Sequence, residues 1–355
     1  MAYTTIDDPS AHFHTQLYSG NGQDVSAGGN AITNNANAGN FQPDWVWIKT
    51  RGASRNHNTY DSSRGVKKAL EVNDTPAEST VAEGLQSFDT NGFTVGSDSN
   101  VNQSTTIVAW QWKANGGTTS SNTDGSITST VQANTDAGFS IVTYTGNGTS
   151  GATIGHGLNS APEWTIIRRR SNAEAWVVWH TSFGSAQSNV RLNGTDAVDT
   201  SSPGMFNNTY PTSSLITLGN GNFVNTNSET YVAYCFSEVK GYSKFGSYEG
   251  NGSDDGAFVY TGFKPAFILM KNIDAAENWL IYDNKRDPEN VISEALLPNT
   301  SGSTGGSANA MDLLSNGFKL RQSAGSLNGS NKTFIYMAFA EHPFVSSKGV
   351  PVTAR

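Results

Sequence analysis

One five-residue pattern, Tyr-x-Gly-Asn-Gly, occurs three times in this chain of 355 residues. Its copies begin at Tyr18, Tyr144 and Tyr248. In each copy a proline precedes an apolar stretch, and a large aromatic residue lies seventeen positions after that proline. The pairs are Pro43 with Tyr60, Pro162 with Trp179, and Pro265 with Tyr282. A spacing that is kept three times predicts a tandem array of one structural unit, which constrains the fold more than any single residue does.

The three copies agree at their ends as well as at their starts, because each closes on an apolar, aromatic-rich stretch. The sequence therefore predicts three domains, which are residues 1–115, 116–240 and 241–355. The second begins with a lead-in rich in Gly, Ser, Thr and Asn. A unit of this length can bury its own core. Only Ser237–Ser247 joins the second and third copies, and such a short joint predicts packed neighbours.

Composition and turn signals favour β structure. Charged residues make up only 15% of the chain, and Gly occurs 37 times. Long surface helices need more Glu, Lys, Ala and Leu than this sequence offers, whereas its Thr, Val and aromatic residues suit strands. Short strands separated by Asn-Gly turns predict an all-β fold of three tandem antiparallel β-sandwich modules, jelly-roll or lectin-like in type. We also predict a strand rather than a short helix at Val66–Val72.

Charge and hydropathy exclude several classes of partner. The net charge of −8 and the absence of a basic face argue against nucleic acid. The one cationic run, Arg168-Arg169-Arg170, is interpreted as a strand end whose side chains reach water, with an anion-binding patch as the alternative. No stretch approaches 18 apolar residues, so we expect no membrane insertion. Met1–Thr5 does not resemble a signal peptide, and the lone Cys235 is predicted to be buried.

Asp61, His180 and Asp283 directly follow the three equivalent aromatic residues. An aromatic ring beside a carboxylate or an imidazole is the chemistry of sugar recognition, since the ring stacks on the sugar and the polar group binds hydroxyls. The candidate ligand-binding residues are therefore Tyr60, Asp61, Trp179, His180, Tyr282 and Asp283. The alternative interpretation is a requirement of the fold, which repetition within one chain favours. A pair of glycosidase carboxylates is a third possibility.

No catalytic or cofactor motif is present, so the sequence predicts no enzyme, no cofactor and no metal site. His12 and His14 share one face of a strand, which fits either a metal pair or an exposed strand with outward polar residues. The exposed strand is the preferred interpretation. The four tryptophans in two strands could line a carbohydrate shelf, but core or inter-module packing is predicted; they are Trp45, Trp47, Trp110 and Trp112.

Four stretches together resemble a repeat family that is common in structural proteins of tailed phages, especially marine phages. They are Phe139–Gly148, Ile154–Leu158, Tyr231–Tyr248 and Ala338–Phe344. The resemblance implies a virion protein that is made in the host cytoplasm. It implies a non-enzymatic tail fibre or receptor-binding accessory, with other virion proteins and host-surface glycans as partners and homo-oligomers as the expected state. The family supplies no catalytic residues to carry over.

Two alternative functions stay open at this point. One is a capsid decoration or head-fibre protein, and the other is a depolymerase of envelope polysaccharide. Whatever the protein recognises is expected in the parts where the three copies differ, which are Gln23–Asn40, Gly194–Thr212 and Pro298–Ala310.

Overall fold

The computed structural model describes residues 3–35 and 40–352, with residues 307 and 308 described by their backbone only. Strands account for 41% of the residues and helices for 4%. Every strand pair within the sheets is antiparallel. The predicted all-β class is therefore confirmed. We call residues 1–115, 116–240 and 241–355 segments 1, 2 and 3.

Segment 1 forms two sheets, one of six strands in the order β1-β9-β3-β4-β5-β6 and one of three in the order β2-β8-β7. The strands are β1 Phe13–Ser19, β2 Asn30–Thr33, β3 Trp45–Thr50, β4 Asn58–Asp61, β5 Lys68–Glu71, β6 Ser79–Thr80, β7 Leu85–Asp89, β8 Gly92–Val95 and β9 Thr106–Trp112. A short helix α1 spans Ser99–Asn102, and single 3-10 turns span Pro9–Ala11 and Val25–Ala27. The predicted strand near Val66–Val72 is confirmed as β5.

Segment 2 forms a sheet of seven strands in the order β10-β11-β12-β18-β14-β15-β16 and a pair of strands, β13-β17. The strands are β10 Ser120–Asn122, β11 Ser129–Asn134, β12 Phe139–Thr145, β13 Thr153–Gly155, β14 Trp164–Arg169, β15 Val177–His180, β16 Val190–Arg191, β17 Leu215–Thr217 and β18 Thr230–Phe236. Cys235 lies in β18 and is fully buried, as predicted.

Segment 3 forms two sheets of four strands, in the orders β19-β26-β21-β22 and β20-β25-β24-β23. The strands are β19 Ser243–Glu249, β20 Phe258–Tyr260, β21 Phe263–Asn272, β22 Leu280–Asp283, β23 Ile292–Ala295, β24 Gly305–Leu314, β25 Gly317–Leu320 and β26 Thr333–Pro343. A second short helix, α2, spans Gly325–Asn328.

In each segment, the sheet that contains the closing strand has the same strand order. The strand before the Gly-Asn-Gly turn pairs with the closing strand, which pairs with the strand after the proline, which pairs with the strand of the repeated aromatic residue. The registers also agree, and the equivalent pairs are Trp45 with Trp112, Trp164 with Phe236, and Phe267 with Phe339. Residues at matching register positions are therefore called equivalent below.

The repeated Gly-Asn-Gly turn is held by a buried asparagine. In segment 1 the side-chain oxygen of Asn102 accepts a hydrogen bond from the Asn21 backbone N–H at 2.9 Å. Asn225 and Asn328 make the same bond to Asn147 and Asn251. The first glycine is required because a Cβ on Gly20 would stand 1.9 Å from the Gln103 carbonyl oxygen.

One large hydrophobic core joins the three segments, and smaller cores lie within segments 1 and 3. At its centre are three aromatic rings, one from each closing strand. The ring centroids of Trp112, Phe236 and Phe339 are 6.4, 5.9 and 5.8 Å apart around the triangle. The predicted packing role of Trp45, Trp47, Trp110 and Trp112 is confirmed, because all four are buried and lie in this shared core.

Candidate functional site

The equivalent polar residues of the sequence pattern lie where one segment meets another. The Tyr234 hydroxyl in segment 2 donates to Asp61 Oδ2 in segment 1 at 2.7 Å. The indole N–H of Trp110 in segment 1 donates to Asp283 Oδ2 in segment 3 at 3.0 Å. The ring of His180 in segment 2 faces the main chain of Tyr336 in segment 3. Asp61 and Asp283 therefore bridge to different neighbours through hydrogen bonds, whereas His180 Nε2 has no hydrogen-bond partner among the described residues.

Two of these three residues are also paired with an arginine three positions later. Asp283 accepts from Arg286 Nε at 2.6 Å, and Asp61 pairs in the same way with Arg64; all four side chains are buried. Segment 2 has Phe183 at this position, and its ring lies 5.9 Å from that of His180. Burial lowers the pKa of His180 to about 3, so this imidazole is neutral at pH 7.

The three aromatic residues that precede them belong to the interior as well. Tyr60, Trp179 and Tyr282 are at most 2% exposed and each lies in a hydrophobic core. The six candidate residues thus present no accessible surface to a sugar in this structure. Their geometry fits the alternative interpretation, a requirement of the fold: the aromatic residues fill the cores, and Asp61 and Asp283 connect segments.

A buried cation makes a second recurring contact between segments. Lys49, Arg168 and Lys271 are equivalent by register, and none is exposed. Lys49 Nζ donates to the Ser301 carbonyl at 3.0 Å, Arg168 Nη2 to the Thr75 carbonyl at 2.6 Å, and Lys271 Nζ to the Thr195 carbonyl at 3.1 Å. Segment 1 thus reaches segment 3, segment 2 reaches segment 1, and segment 3 reaches segment 2.

These cations are held mainly by carbonyl oxygens, and their burial is electrostatically costly. It lowers the pKa of Lys49 and of Lys271 to about 8 and that of Arg168 to about 10. The predicted solvent exposure of the Arg168-Arg169-Arg170 run is therefore wrong for Arg168 and for Arg169, which is 8% exposed. Segment 1 packs over Arg168, which a single-segment argument misses, whereas Arg169 pairs with Glu229 and Glu174 of its own segment.

A third recurring contact is made by an indole. The Trp176 N–H donates to the Glu71 carbonyl and the Trp279 N–H to the Arg191 carbonyl, both at 2.8 Å. The equivalent ring in segment 1 is His57, which lies next to the main chain of Leu297. The two indole hydrogen bonds thus run from segment 2 to 1 and from segment 3 to 2, whereas His57 Nε2 has no hydrogen-bond partner among the described residues.

The His12 and His14 pair does not lie on an exposed strand. His14 is 5% exposed, and its Nε2 lies 2.9 Å from Asn35 Oδ1 and 3.2 Å from Gln16 Oε1. The preferred sequence interpretation is therefore wrong for His14, because segment 3 packs against the start of β1. Within residues 3–35 and 40–352, no group of three or more His, Cys, Asp or Glu side chains is placed to hold a metal ion.

Sequence reasoning did not identify the buried cations or the asparagines that orient the third contact. Asn73, Asn193 and Asn299 accept from the backbone N–H of His57, Trp176 and Trp279 at 2.7, 2.9 and 3.0 Å. Their distance along the chain from these rings differs between segments. A search for fixed spacing therefore passes over them, although their hydrogen bonds are equivalent.

None of the helices in the described parts of the chain has the length and apolar character that a bilayer-spanning segment requires. The chain belongs to the family described as "Domain of unknown function (DUF7483)", whose model matches residues 8–343. This single family model spans all three segments. The comparison with curated proteins found no match, and neither did the comparison with solved structures.

Proposed function

We propose that the chain consists of three tandem β-sandwich modules closed into a ring, and that it is a non-enzymatic structural protein of a tailed-phage virion. In this role it is a tail-associated fibre component or receptor-binding accessory. It docks on other virion proteins and contacts the host surface.

The observation that carries the proposal is the cyclic order of the contacts between segments. Each segment donates an equivalent buried cation to the preceding one, and segment 1 donates to segment 3, which closes the circle. The three central aromatic rings, Trp112, Phe236 and Phe339, lie around the same centre. Such an arrangement has the symmetry of a trimer within one polypeptide.

This pseudo-threefold arrangement suits a protein that sits on a threefold assembly, and phage tail fibres are often trimeric. The resemblance to tailed-phage repeat proteins points the same way. A family model that spans all three segments is consistent with the ring, rather than one module, being the recurring unit. Host-surface glycans are proposed as partners of the outer loops, since weak sugar contacts gain strength when many copies are displayed together.

The first experiment is mass spectrometry of purified virions. We expect this protein among the virion components, at a copy number that matches its attachment site. Its absence from virions that retain their other structural proteins would sink the proposal.

A capsid decoration protein is the second candidate, because the same pseudo-threefold arrangement also fits local threefold positions of an icosahedral shell. Density in a reconstruction of the intact particle separates the two. We expect density at the tail; density on the shell supports the second candidate instead.

The depolymerase alternative finds little support in the carboxylates that the sequence singled out. Asp61 and Asp283 lie in different segments and are each bound to their own arginine. We expect that host polysaccharide incubated with the purified chain releases no reducing ends. Release that disappears in Asp61→Asn or Asp283→Asn would establish an enzyme.

A further inference from the structure

A cavity of about 270 Å³ lies between segments 1 and 3, at what we call the closing interface. Segment 1 contributes the start of β1 to its wall, with Phe13 and Thr15. Segment 3 contributes the residue after Asp283, which is Asn284, and the end of β26, with Glu341. The volume lies slightly below the range of drug-sized ligand pockets, so it suits a smaller molecule.

The equivalent places at the other two interfaces are filled. Between segments 1 and 2, the buried Gln132 of β11 donates to Ser62 Oγ and Ser63 Oγ, both at 2.9 Å. Between segments 2 and 3 the chain itself crosses from β18 to β19, and Lys244 pairs there with Glu238 at 2.8 Å. No such connection crosses the closing interface, because it joins the first segment to the last.

One substitution within the repeat also opens space at the closing interface. Thr15 pairs with Trp110 in register, and the equivalent residues are Ile141, which pairs with Tyr234, and Phe245, which pairs with Met337. Ile141 and Phe245 are large, apolar and buried. Threonine therefore leaves volume that its two equivalents occupy, and it adds a hydroxyl to the cavity.

Glu341 Oε2 is held by its ion pair with Lys264, and two further buried polar atoms of the cavity wall have no hydrogen-bond partner among the described residues. They are Thr15 Oγ1 and Asn284 Oδ1, and their residues are 4% and 6% exposed. Leaving a buried polar atom unsatisfied is unfavourable, so each atom calls for a partner that the described residues do not provide.

The chemistry of the wall selects an uncharged hydroxyl-bearing ligand. Asn284 Oδ1 can only accept, whereas Thr15 Oγ1 can donate or accept, and a hydroxyl group satisfies both. The Glu341 carboxylate is already paired with Lys264 at 2.8 Å and lies 3.9 Å from Lys285, so it leaves no unpaired charge for a cation. Lys285 also lines the cavity, but it faces this same carboxylate, so the wall leaves no unpaired positive charge for an anion. The Phe13 ring supplies an apolar wall of the kind that packs against the C–H groups of a sugar.

We propose that the closing interface binds a neutral monosaccharide, free or as the end unit of a glycan, through hydroxyl contacts to Thr15 and Asn284. The bound sugar touches both segment 1 and segment 3, so it stabilises the contact that closes the circle. This site is independent of the virion assignment, because sugar binding is a property of the purified chain.

The test uses saturation-transfer NMR on the purified full chain with a panel of neutral hexoses and N-acetylhexosamines. We expect at least one sugar to bind with a Kd near 1 mM and to raise the Tm. Short oligosaccharides that end in the same sugar distinguish the two sources: tighter binding indicates a glycan end, and weaker binding indicates the free sugar.

Thr15→Ile introduces the residue of the equivalent position in segment 2 and fills the cavity. We expect it to weaken binding at least about tenfold without lowering the Tm, while Thr130→Ile, the same change at an exposed strand position, leaves binding unaltered. Asn284→Ala removes the acceptor and gives a second measure if Thr15→Ile folds poorly. Absence of binding across the panel, or binding that survives both variants, overturns the proposal. Either result leaves the virion experiment unaffected.

Discussion

The second segment differs from the first and third at the residue that bridges to a neighbouring segment. Segments 1 and 3 use a buried carboxylate with an arginine, Asp61 with Arg64 and Asp283 with Arg286, whereas segment 2 uses His180 with Phe183. All three residues still face the next segment. The comparison teaches that the bridging position is retained while its chemistry changes from a charged pair to a neutral one.

The largest loss of stability is expected from removing the carboxylate of a buried carboxylate–arginine pair. Asp283→Ala leaves the Arg286 guanidinium buried with only carbonyl partners and leaves the Trp110 N–H without its acceptor. We expect the free energy of unfolding to fall by about 3–5 kcal/mol. Asp61→Ala should cost less because Glu78 also pairs with Arg64, and His180→Ala less again. Urea unfolding of the three variants measures the order.

Two controls belong to this prediction. Asp254→Ala removes an exposed carboxylate and should change the free energy of unfolding by less than about 0.5 kcal/mol. Asp283→His with Arg286→Phe introduces the pair of segment 2 and should recover most of the loss, because a buried ion pair can be replaced by neutral groups at small cost. A double variant as unstable as Asp283→Ala would show that the two chemistries are not interchangeable.

The next effect concerns a feature that the three segments share. The Asn225 side chain bonds the Asn147 N–H and the carbonyls of Thr149 and Gly219. Asn225→Ala is expected to cost about 2–3 kcal/mol, since it leaves buried backbone groups unsatisfied. Asn102→Ala and Asn328→Ala should cost the same within about 1 kcal/mol. Thermal and urea unfolding check this, with the exposed Asn227→Ala as control. Unequal costs would mean that the turns are not equivalent.

Acid should act on segment 2 through its imidazole. The pKa of His180 is lowered by burial from 6.5 to about 3. Below pH 6.5 the His180 imidazole is protonated in the unfolded chain but stays neutral in the folded chain. The free energy of unfolding therefore falls as the pH falls from 6.5 towards 3. By pH 5 this amounts to about 2 kcal/mol. Unfolding curves at pH 7 and pH 5 should show that much less acid sensitivity in His180→Gln than in the natural chain; equal sensitivity would contradict it.

The smallest effect is the alkaline pH dependence that is due to the two buried lysines, Lys49 and Lys271. Burial lowers the pKa of Lys49 and Lys271 from 10.5 to about 8. The charged form is the unfavourable one in the folded chain, so stability rises as the pH increases from 8 towards 10.5. Over this range the shift corresponds to about 2.5 kcal/mol per lysine, which solvent screening reduces to on the order of 1 kcal/mol. Lys271→Met should lack its share of this gain between pH 8 and 10, because methionine carries no group that titrates. An unchanged slope would show that the lysine is not desolvated as described.

The fold could be predicted as far as the repeated turns require particular residues. Gly22, Gly148 and Gly252 have φ values of 65°, 70° and 65°, which favour glycine. The same residue type therefore recurs at this position of the turn in all three copies. The strands that follow have apolar patterns that are also visible in the sequence. These features are enough to predict the all-β fold class, the positions of the strands and the packing role of the tryptophans.

The contacts between segments could not be predicted, because many of their acceptors are backbone carbonyls. Thr75, Thr195 and Ser301 accept through the main chain, which every residue offers, so selection leaves no pattern there. The sequence did single out Asp61, His180 and Asp283. It could not tell a sugar-binding carboxylate from a buried one, because both stand beside an aromatic residue.

The cyclic order of the three segments has a consequence for variation. In an assembly of three identical chains, every substitution is made three times, and a change that helps one contact is imposed on the other two. Here each contact is encoded separately, so His180 and Phe183 stand in one place while aspartate and arginine stand in the other two. A single polypeptide can in this way keep the geometry of a threefold assembly and still present three different faces.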